Sequence, residues 1–145
     1  MADYFTNFSF IVPLADEAQK QSALGLSQAA GTARFNETPL PADFPESLRD
    51  SVEDWTFEVE STDEGLWFHS DSGGIDAACA FVQHLLQKFG AATVVTFEWS
   101  HDCSKPKTNA YGGGAAIVTA AEIKTLNTGD WLRANVPVAI QPQPQ

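Results

Sequence analysis

The chain has 145 residues, 43% of them hydrophobic, and carries a formal net charge of −11 with a pI of about 4.4. This length fits one domain, and the negative charge argues against unassisted binding to nucleic acid, whose phosphates require Lys and Arg. Two cysteines are too few for a disulfide scaffold, and we find neither a signal peptide nor an apolar run of the roughly 20 residues that cross a bilayer, so we expect a soluble cytoplasmic protein.

The first third of the chain predicts one strand, one helix and a long connection. Residues 4–14 alternate and then become apolar, which favours a strand that Pro13 ends. Asp16 and Glu17 suit the first turn of a helix, and Gly31 offers its end. Residues 38–54 contain three prolines and no apolar period, so we expect a connection that contacts the body through Leu40, Phe44 and Leu48, with a helical turn after Pro45.

The middle of the chain predicts a hairpin and a second helix. Residues 55–61 alternate cleanly, and a turn at residues 62–65 leads into a return strand at residues 66–70. Trp67 and His69 would then share one strand face, opposite Leu66 and Phe68. Residues 75–89 repeat apolar side chains at helical spacing, with Asp71, Ser72 and Asp76 available at the start and Gly90 at the end.

The remaining pattern predicts strands at residues 93–101 and 114–119. A capping-box pattern at residues 119–122 predicts a short helix through Ile123 and Leu126, ended by Asn127 or Gly129. The sequence thus predicts an α+β fold, an antiparallel sheet with helices on one face. Its core would be ferredoxin-like β-α-β-β-α-β, with an extra strand and a short C-terminal helix. We expect a single globular domain over residues 1–136 and a flexible Pro/Gln tail over residues 137–145.

The negative charge is concentrated in one region. Residues 37–76 contain twelve acidic side chains and one cation, Arg49, whereas residues from Ala77 onward contain four acids and five bases. A localised negative face is a plausible docking surface for a basic partner. We therefore predict a partner-binding site, with Trp67 and Trp131 as aromatic anchors. The residues predicted to form this site are Glu53, Asp54, Glu58, Glu60, Asp63, Glu64 and Trp67.

The segment HDCSKPKTNAYGGG, residues 101–114, raises the alternative of a thiol chemistry. His101 and Cys103 would point to the same side of a strand, and a thiolate beside an imidazole is a nucleophile arrangement, with Asp102 between them. The simpler interpretation is that Cys103 is a small buried residue at a strand end. We prefer the interpretation of Cys103 as a buried strand-end residue. The three glycines at residues 112–114 then belong to a loop that needs unusual backbone conformations.

Metal, nucleotide and cofactor sites find little support in the spacing of residues. The histidines and cysteines lack the short repeats of zinc sites, and the glycine triplet precedes a strand rather than a helix, so we predict no metal and no cofactor. Glu58 and Glu60, with Glu98 on another strand, could form a carboxylate group for acid catalysis or a divalent cation. A solvated sheet face explains the same alternation.

Three segments carry a resemblance. The runs WSHDCSKP at residues 99–106, YGGGAA at 111–116 and LWFHS at 66–70 resemble small acidic proteins of bacteria, phages and plasmids. That resemblance implies no activity and transfers no catalytic residue. By size and charge, the chain is also similar in kind to phage inhibitors of host defence, the anti-CRISPR and anti-restriction proteins that occupy nucleic-acid-binding surfaces.

The sequence therefore predicts a non-enzymatic, acidic interaction module that docks on a basic protein surface, with no direct nucleic acid and no membrane as partner. The basic surface could be the nucleic-acid-binding surface of a host defence protein, which the module would inhibit. The alternative is a small thiol-dependent enzyme or ligand-binding protein that uses His101 and Cys103. A homo-oligomer is left open.

Overall fold

A computed structural model describes residues 2–90 and 92–140. The strands are β1 (Tyr4–Pro13), β2 (Glu58–Thr62), β3 (Gly65–Ser70), β4 (Val95–Cys103), β5 (Gly112–Val118) and β6 (Ile123–Asn127). The helices are α1 (Glu17–Asn36), a 3-10 helix (Glu46–Asp54), α2 (Ile75–Phe89) and α3 (Thr128–Ala139). The predicted α+β class with an antiparallel sheet is confirmed.

All six strands form one sheet in the order β2-β3-β1-β4-β5-β6, and every neighbouring pair is antiparallel. β1 therefore lies in the middle, paired with β3 through its second half and with β4 through its first half. β2 and β6 are the two edges. The β2–β3 hairpin turns at Asp63 and Glu64, as predicted.

The core lies on one side of the sheet and is built largely from aromatic rings. Phe10 stacks between Phe68 and Phe97, with ring centroids 5.0 and 4.1 Å away. Phe81 of α2 packs on Phe68 at 5.5 Å, so this helix is held against the centre of the sheet. The buried sides of α1, the 3-10 helix and α2 all join this cluster. The opposite side of the sheet is left accessible.

Helix α1 is longer than predicted. Asp16 caps its start by accepting a hydrogen bond from the Gln19 amide, but the helix continues past Gly31 to Asn36. Ala30 and Ala33 are buried, and Lys20 donates from Nζ to the Thr62 carbonyl on β2. Tertiary packing therefore extends the helix, because it outweighs the weak helix propensity of one glycine.

The connection after α1 contacts the body through Leu40, Phe44 and Leu48, as predicted, and the helical turn after Pro45 is a 3-10 helix of nine residues. The next strand begins later than predicted, at Glu58. Trp55 and Phe57 are buried just before it, where Trp55 packs on Phe81. The alternating apolar side chains of Trp55 and Phe57 therefore contact the core before the chain joins the sheet at Glu58.

Helix α2 has the predicted bounds, and Gly90 ends it in the left-handed conformation with φ of 60°. Its start differs from the prediction. Gly74 occupies the N-cap position without a side-chain hydrogen bond, and Asp54, distant in sequence, accepts from the Ala77 amide at 3.3 Å. The cap is thus supplied by tertiary structure instead of by Asp71 or Ser72.

The predicted short helix through Ile123 and Leu126 is wrong. Thr119 Oγ1 does accept from the Glu122 amide, but the Glu122 carbonyl accepts in return from the Thr119 amide, which closes a turn between β5 and β6. Residues 123–127 then form β6, and Asn127 begins α3 by accepting from the Asp130 amide. A capping-box sequence satisfies amides equally well in a tight turn.

Helix α3 extends through residues 137–139 of the predicted tail and contains Pro137. Ile140 follows as the C-cap of α3, and residues 141–145 of that tail lie outside the described residues. Within the described part of the chain, no helix combines the length and hydropathy needed to cross a bilayer.

Candidate interaction surface

The accessible side of the sheet is the first candidate for function, because α1, the 3-10 helix and α2 cover only the other side. Strand alternation places Ser9, Ile11, Glu98 and Ile117 there, and all four are exposed. We call this side the open face. Its chemistry changes along the sheet, from acidic at β2 to apolar at β5 and β6.

The acidic end is organised around a histidine. Glu58 is the cross-strand neighbour of His69, and Glu60 is the neighbour of Trp67. The His69 Nε2 atom lies 2.6 Å from Glu60 Oε2 and 3.7 Å from Glu58 Oε2. Since one imidazole stands between two carboxylates, it cannot neutralise both, and the group keeps a negative charge even when His69 is protonated.

Trp67 is held rigidly beside this group. Its indole stacks on the His69 ring at a centroid distance of 4.0 Å, and its Nε1 donates to Ser9 Oγ at 2.8 Å. The indole is therefore held on its face by His69 of its own strand and at Nε1 by Ser9 of the neighbouring strand β1. Because the Trp67 side chain is already ordered, binding a partner to it would cost little side-chain entropy. This is the property of an efficient aromatic anchor.

We call the exposed acids of β2 and of its turn, together with the two rings of β3, the acidic hairpin; its members are Glu58, Glu60, Asp63, Glu64, Trp67 and His69. Asp63 and Glu64 are exposed at the β2–β3 turn. A depression of about 430 Å³ adjoins Glu58 and His69 and extends to Asp71. Four of the seven predicted partner-binding side chains are acids of this hairpin, and Trp67 is the fifth.

The other two predicted partner-binding acids lie elsewhere. The Asp54 carboxylate caps the start of α2, where it accepts a hydrogen bond from the Ala77 amide. Glu53 lies beside it at the end of the 3-10 helix, and its carbonyl accepts from Arg34 Nε at 3.0 Å. Both side chains are exposed, but local structure already explains Asp54, so the acidic hairpin is the better-defined surface.

The predicted carboxylate group is rearranged. Glu98 lies on β4, separated from β2 by β3 and β1, so it does not join Glu58 and Glu60. His69 takes that place, and one ligand atom from each of Glu58, Glu60 and His69 lies within 4.8 Å of the others. The hairpin register could have revealed this neighbour, because a two-residue turn at residues 63–64 places Glu58 opposite His69.

The alternative site at His101, Asp102 and Cys103 lies at the far end of β4. His101 Nδ1 is 2.9 Å from Thr6 Oγ1, and Asp102 accepts from the Cys103 amide through its side chain. Cys103 is buried, as the simpler interpretation expected. Among the described residues, no hydrogen bond joins the three side chains to one another, and strand alternation points Asp102 away from the other two.

Cys79 lies in the core, and His84 lies at the border of the core. Burial, followed by the nearby charge of Asp76, raises the pKa of Cys79 to about 12, so this thiol stays protonated and unreactive. Burial and the charge of Lys88 lower the pKa of His84. Its Nε2 atom is buried without a hydrogen-bond partner in the described part of the chain.

The glycine triplet of residues 112–114 has a packing role. Gly112 has a φ of 136°, and a methyl group at Gly114 would overlap both the Leu126 carbonyl and the Trp99 indole. The triplet therefore lets β5 pass close under Trp99 and beside β6, which accounts for these residues without a bound phosphate.

Comparison of the chain with family models, with curated proteins and with solved structures finds no match.

Proposed function

We propose that this protein is a non-enzymatic interaction module whose acidic hairpin binds a basic surface of another protein. The observation that carries the proposal is the exposure of four carboxylates at one hairpin next to an immobilised tryptophan. Carboxylates steer the encounter with a cationic surface, and the aromatic ring supplies contact area once the two proteins meet.

The charge distribution supports a protein partner. Twelve of the nineteen acids fall within residues 37–76, against one cation there, so the field of this region attracts Lys and Arg and repels phosphate. A basic surface that normally binds nucleic acid has the matching charge. We therefore propose that the module inhibits such a protein by occupying its nucleic-acid-binding surface, and that it does not bind nucleic acid itself.

We further infer a ferredoxin-like core and a cytoplasmic location. The strand order β2-β3-β1-β4, with α1 after β1 and α2 after β3, supports the first inference, and β5, β6 and α3 would be additions to that core. Two free, buried cysteines support a reducing compartment.

The proposal is tested by affinity capture from bacterial lysate with three forms of the full chain. The test form carries Glu58→Lys, Glu60→Lys, Asp63→Lys and Glu64→Lys. The control carries four equal reversals at exposed acids outside the acidic hairpin, at Asp3, Asp43, Asp50 and Glu98. Capture is repeated at about 0.1 M and about 1 M salt, over which the Debye length falls from about 10 to about 3 Å.

We expect the wild type and the control to retain one stoichiometric basic protein at low salt, which nuclease does not release and high salt does. The acidic-hairpin variant should lose it, and the purified partner should lose its nucleic acid when the wild type is added. Equal capture by all three forms would refute the acidic hairpin as the binding site. Release of the captured protein by nuclease would refute the claim that the two proteins bind each other without nucleic acid.

A further inference from the structure

The C-terminal helix leaves an unusual amount of apolar surface exposed. Trp131 and Leu132 are 55% and 53% exposed, and Val136, Val138 and Ile140 follow with 49%, 64% and 76%. At 100° per residue these side chains cover about half of the helix circumference. A helix with such a face is normally covered, because a contiguous exposed apolar patch marks an interaction site.

The neighbouring strand is an edge that carries one charged side chain, Lys124, which is paired with Glu122 at 3.4 Å. β6 ends the sheet, and Ile123, Lys124, Thr125 and Leu126 are all exposed. The opposite edge is protected, because Glu58 and Glu60 place charges along β2 and α1 contacts it through Lys20 and Thr62. The β2 edge is therefore protected by two like charges and a helix contact, whereas the β6 edge has only the paired Lys124.

The start of α3 is hydrogen-bonded to the sheet next to β6. Thr128, the first residue of α3, accepts from the Gly113 amide of β5 through Oγ1. A depression of about 530 Å³ beside this contact is lined by Ala115, Leu126 and Thr128. We call β6, α3 and the adjoining open-face residue Ile117 the C-terminal patch.

The charge of this patch favours a second copy of the chain as its occupant. The whole chain carries −11, but residues 110–140 contain only Glu122, Lys124, Asp130 and Arg133, which sum to zero. These four form two ion pairs within the patch, Lys124 with Glu122 and Arg133 with Asp130. The neutral patch is thus a place where two such acidic chains can meet without bringing their acidic regions together.

We propose that the C-terminal patch is a homodimer interface in which β6 pairs antiparallel with β6 of a second copy and α3 covers apolar surface of that copy. A twofold axis makes such a contact self-complementary, since each strand edge supplies the backbone donors and acceptors that the other lacks. Dimerisation removes both the open edge and the exposed helix from water. This proposal is independent of the acidic hairpin and its partner.

The test is sedimentation velocity of the purified full chain between about 1 and about 100 µM, a range that resolves micromolar association. Two variants place charge in the patch, Leu126→Lys on β6 and Trp131→Asp on α3. Since both side chains are more than half exposed, both variants should fold, which circular dichroism checks. The matched control is Phe35→Asp, an equally drastic change at an 83% exposed ring at the end of α1.

We expect the wild type and Phe35→Asp to sediment as dimers, and each patch variant to weaken dimerisation at least tenfold. Added salt should leave the dimer intact or strengthen it, because it screens the repulsion between two acidic chains. A wild type that remains monomeric at about 100 µM would overturn the proposal. So would a dimer that both patch variants preserve, or a monomer that binds zwitterionic lipid vesicles through α3.

Discussion

A methyl group added at Gly114 tests how closely β5 approaches its neighbours. In Gly114→Ala the new carbon would overlap the Leu126 carbonyl on β6 and the Trp99 ring on β4. The carbonyl belongs to a paired strand and cannot move alone, and the ring is 7% exposed in the core. Overpacking of this kind costs about 1–3 kcal/mol, and with two rigid neighbours we expect about 3 kcal/mol or more.

The matched control is the same substitution where space is open. Outside the neighbouring backbone of α1 itself, no atom of the described residues lies within 4 Å of a methyl group added at Gly31, so Gly31→Ala should stabilise the chain by about 0.5–1 kcal/mol through helix propensity alone. Urea unfolding measures both variants. By the usual scaling, melting temperature should fall by about 6–12 °C for Gly114→Ala and rise by about 1–4 °C for Gly31→Ala. A Gly114→Ala variant as stable as the wild type would refute the close approach.

Three further predictions concern the core and its border. Phe81→Ala removes a fully buried ring that packs on Trp55 and Phe68, so urea unfolding should show a loss of about 3–5 kcal/mol, and a loss below about 1 kcal/mol would contradict the packing. Cys79, whose pKa burial raises to about 12, should resist iodoacetamide at about pH 8 until the chain is unfolded, and rapid labelling of the native protein would show that α2 opens readily. Because the pKa of His84 is lowered in the folded chain, its contribution to stability is present above the unfolded pKa of about 6.5 and is lost as the pH falls through the lower folded pKa. His84→Gln should therefore flatten the decline of the free energy of unfolding between about pH 7 and pH 5. An unchanged decline would show that other groups cause it.

Elements with a strong apolar period could be predicted from sequence alone. Helix α2 has its predicted bounds because seven apolar side chains repeat along one side, and Gly90 supplies a local stop. The β2–β3 hairpin follows from its turn residues. In both cases the local signal and the tertiary packing favour the same structure.

The C-terminal part could not be predicted, because its signals are local and ambiguous. Thr119 and Glu122 satisfy each other in a turn as readily as at a helix start, and Asn127 begins a helix instead of ending one. Similarly, the start of α2 depends on Asp54, which lies 23 residues upstream of the amide it caps. Contacts between distant residues determine these features, and no short window of sequence contains them.

The candidate site was predicted in part. The acids of β2 and the position of Trp67 beside His69 follow from strand alternation, whereas the contact of His69 with both glutamates needs the register of the hairpin. Outward alternation also groups Glu98 with these acids, but two strands separate it from β2. Alternation assigns a residue to a face of the sheet but not to a position along it.

The measurement that tests the central claim most directly is the association rate of the captured basic partner as a function of ionic strength, for the wild type and for the acidic-hairpin variant. Electrostatic steering raises association rates by about 10- to 1,000-fold and weakens with salt. We predict a steep decrease of the wild-type rate between about 0.05 and about 0.5 M salt, and a slower, nearly salt-independent rate for the variant. Equal rates and equal salt slopes for the two proteins would contradict the claim that the acidic hairpin binds the partner.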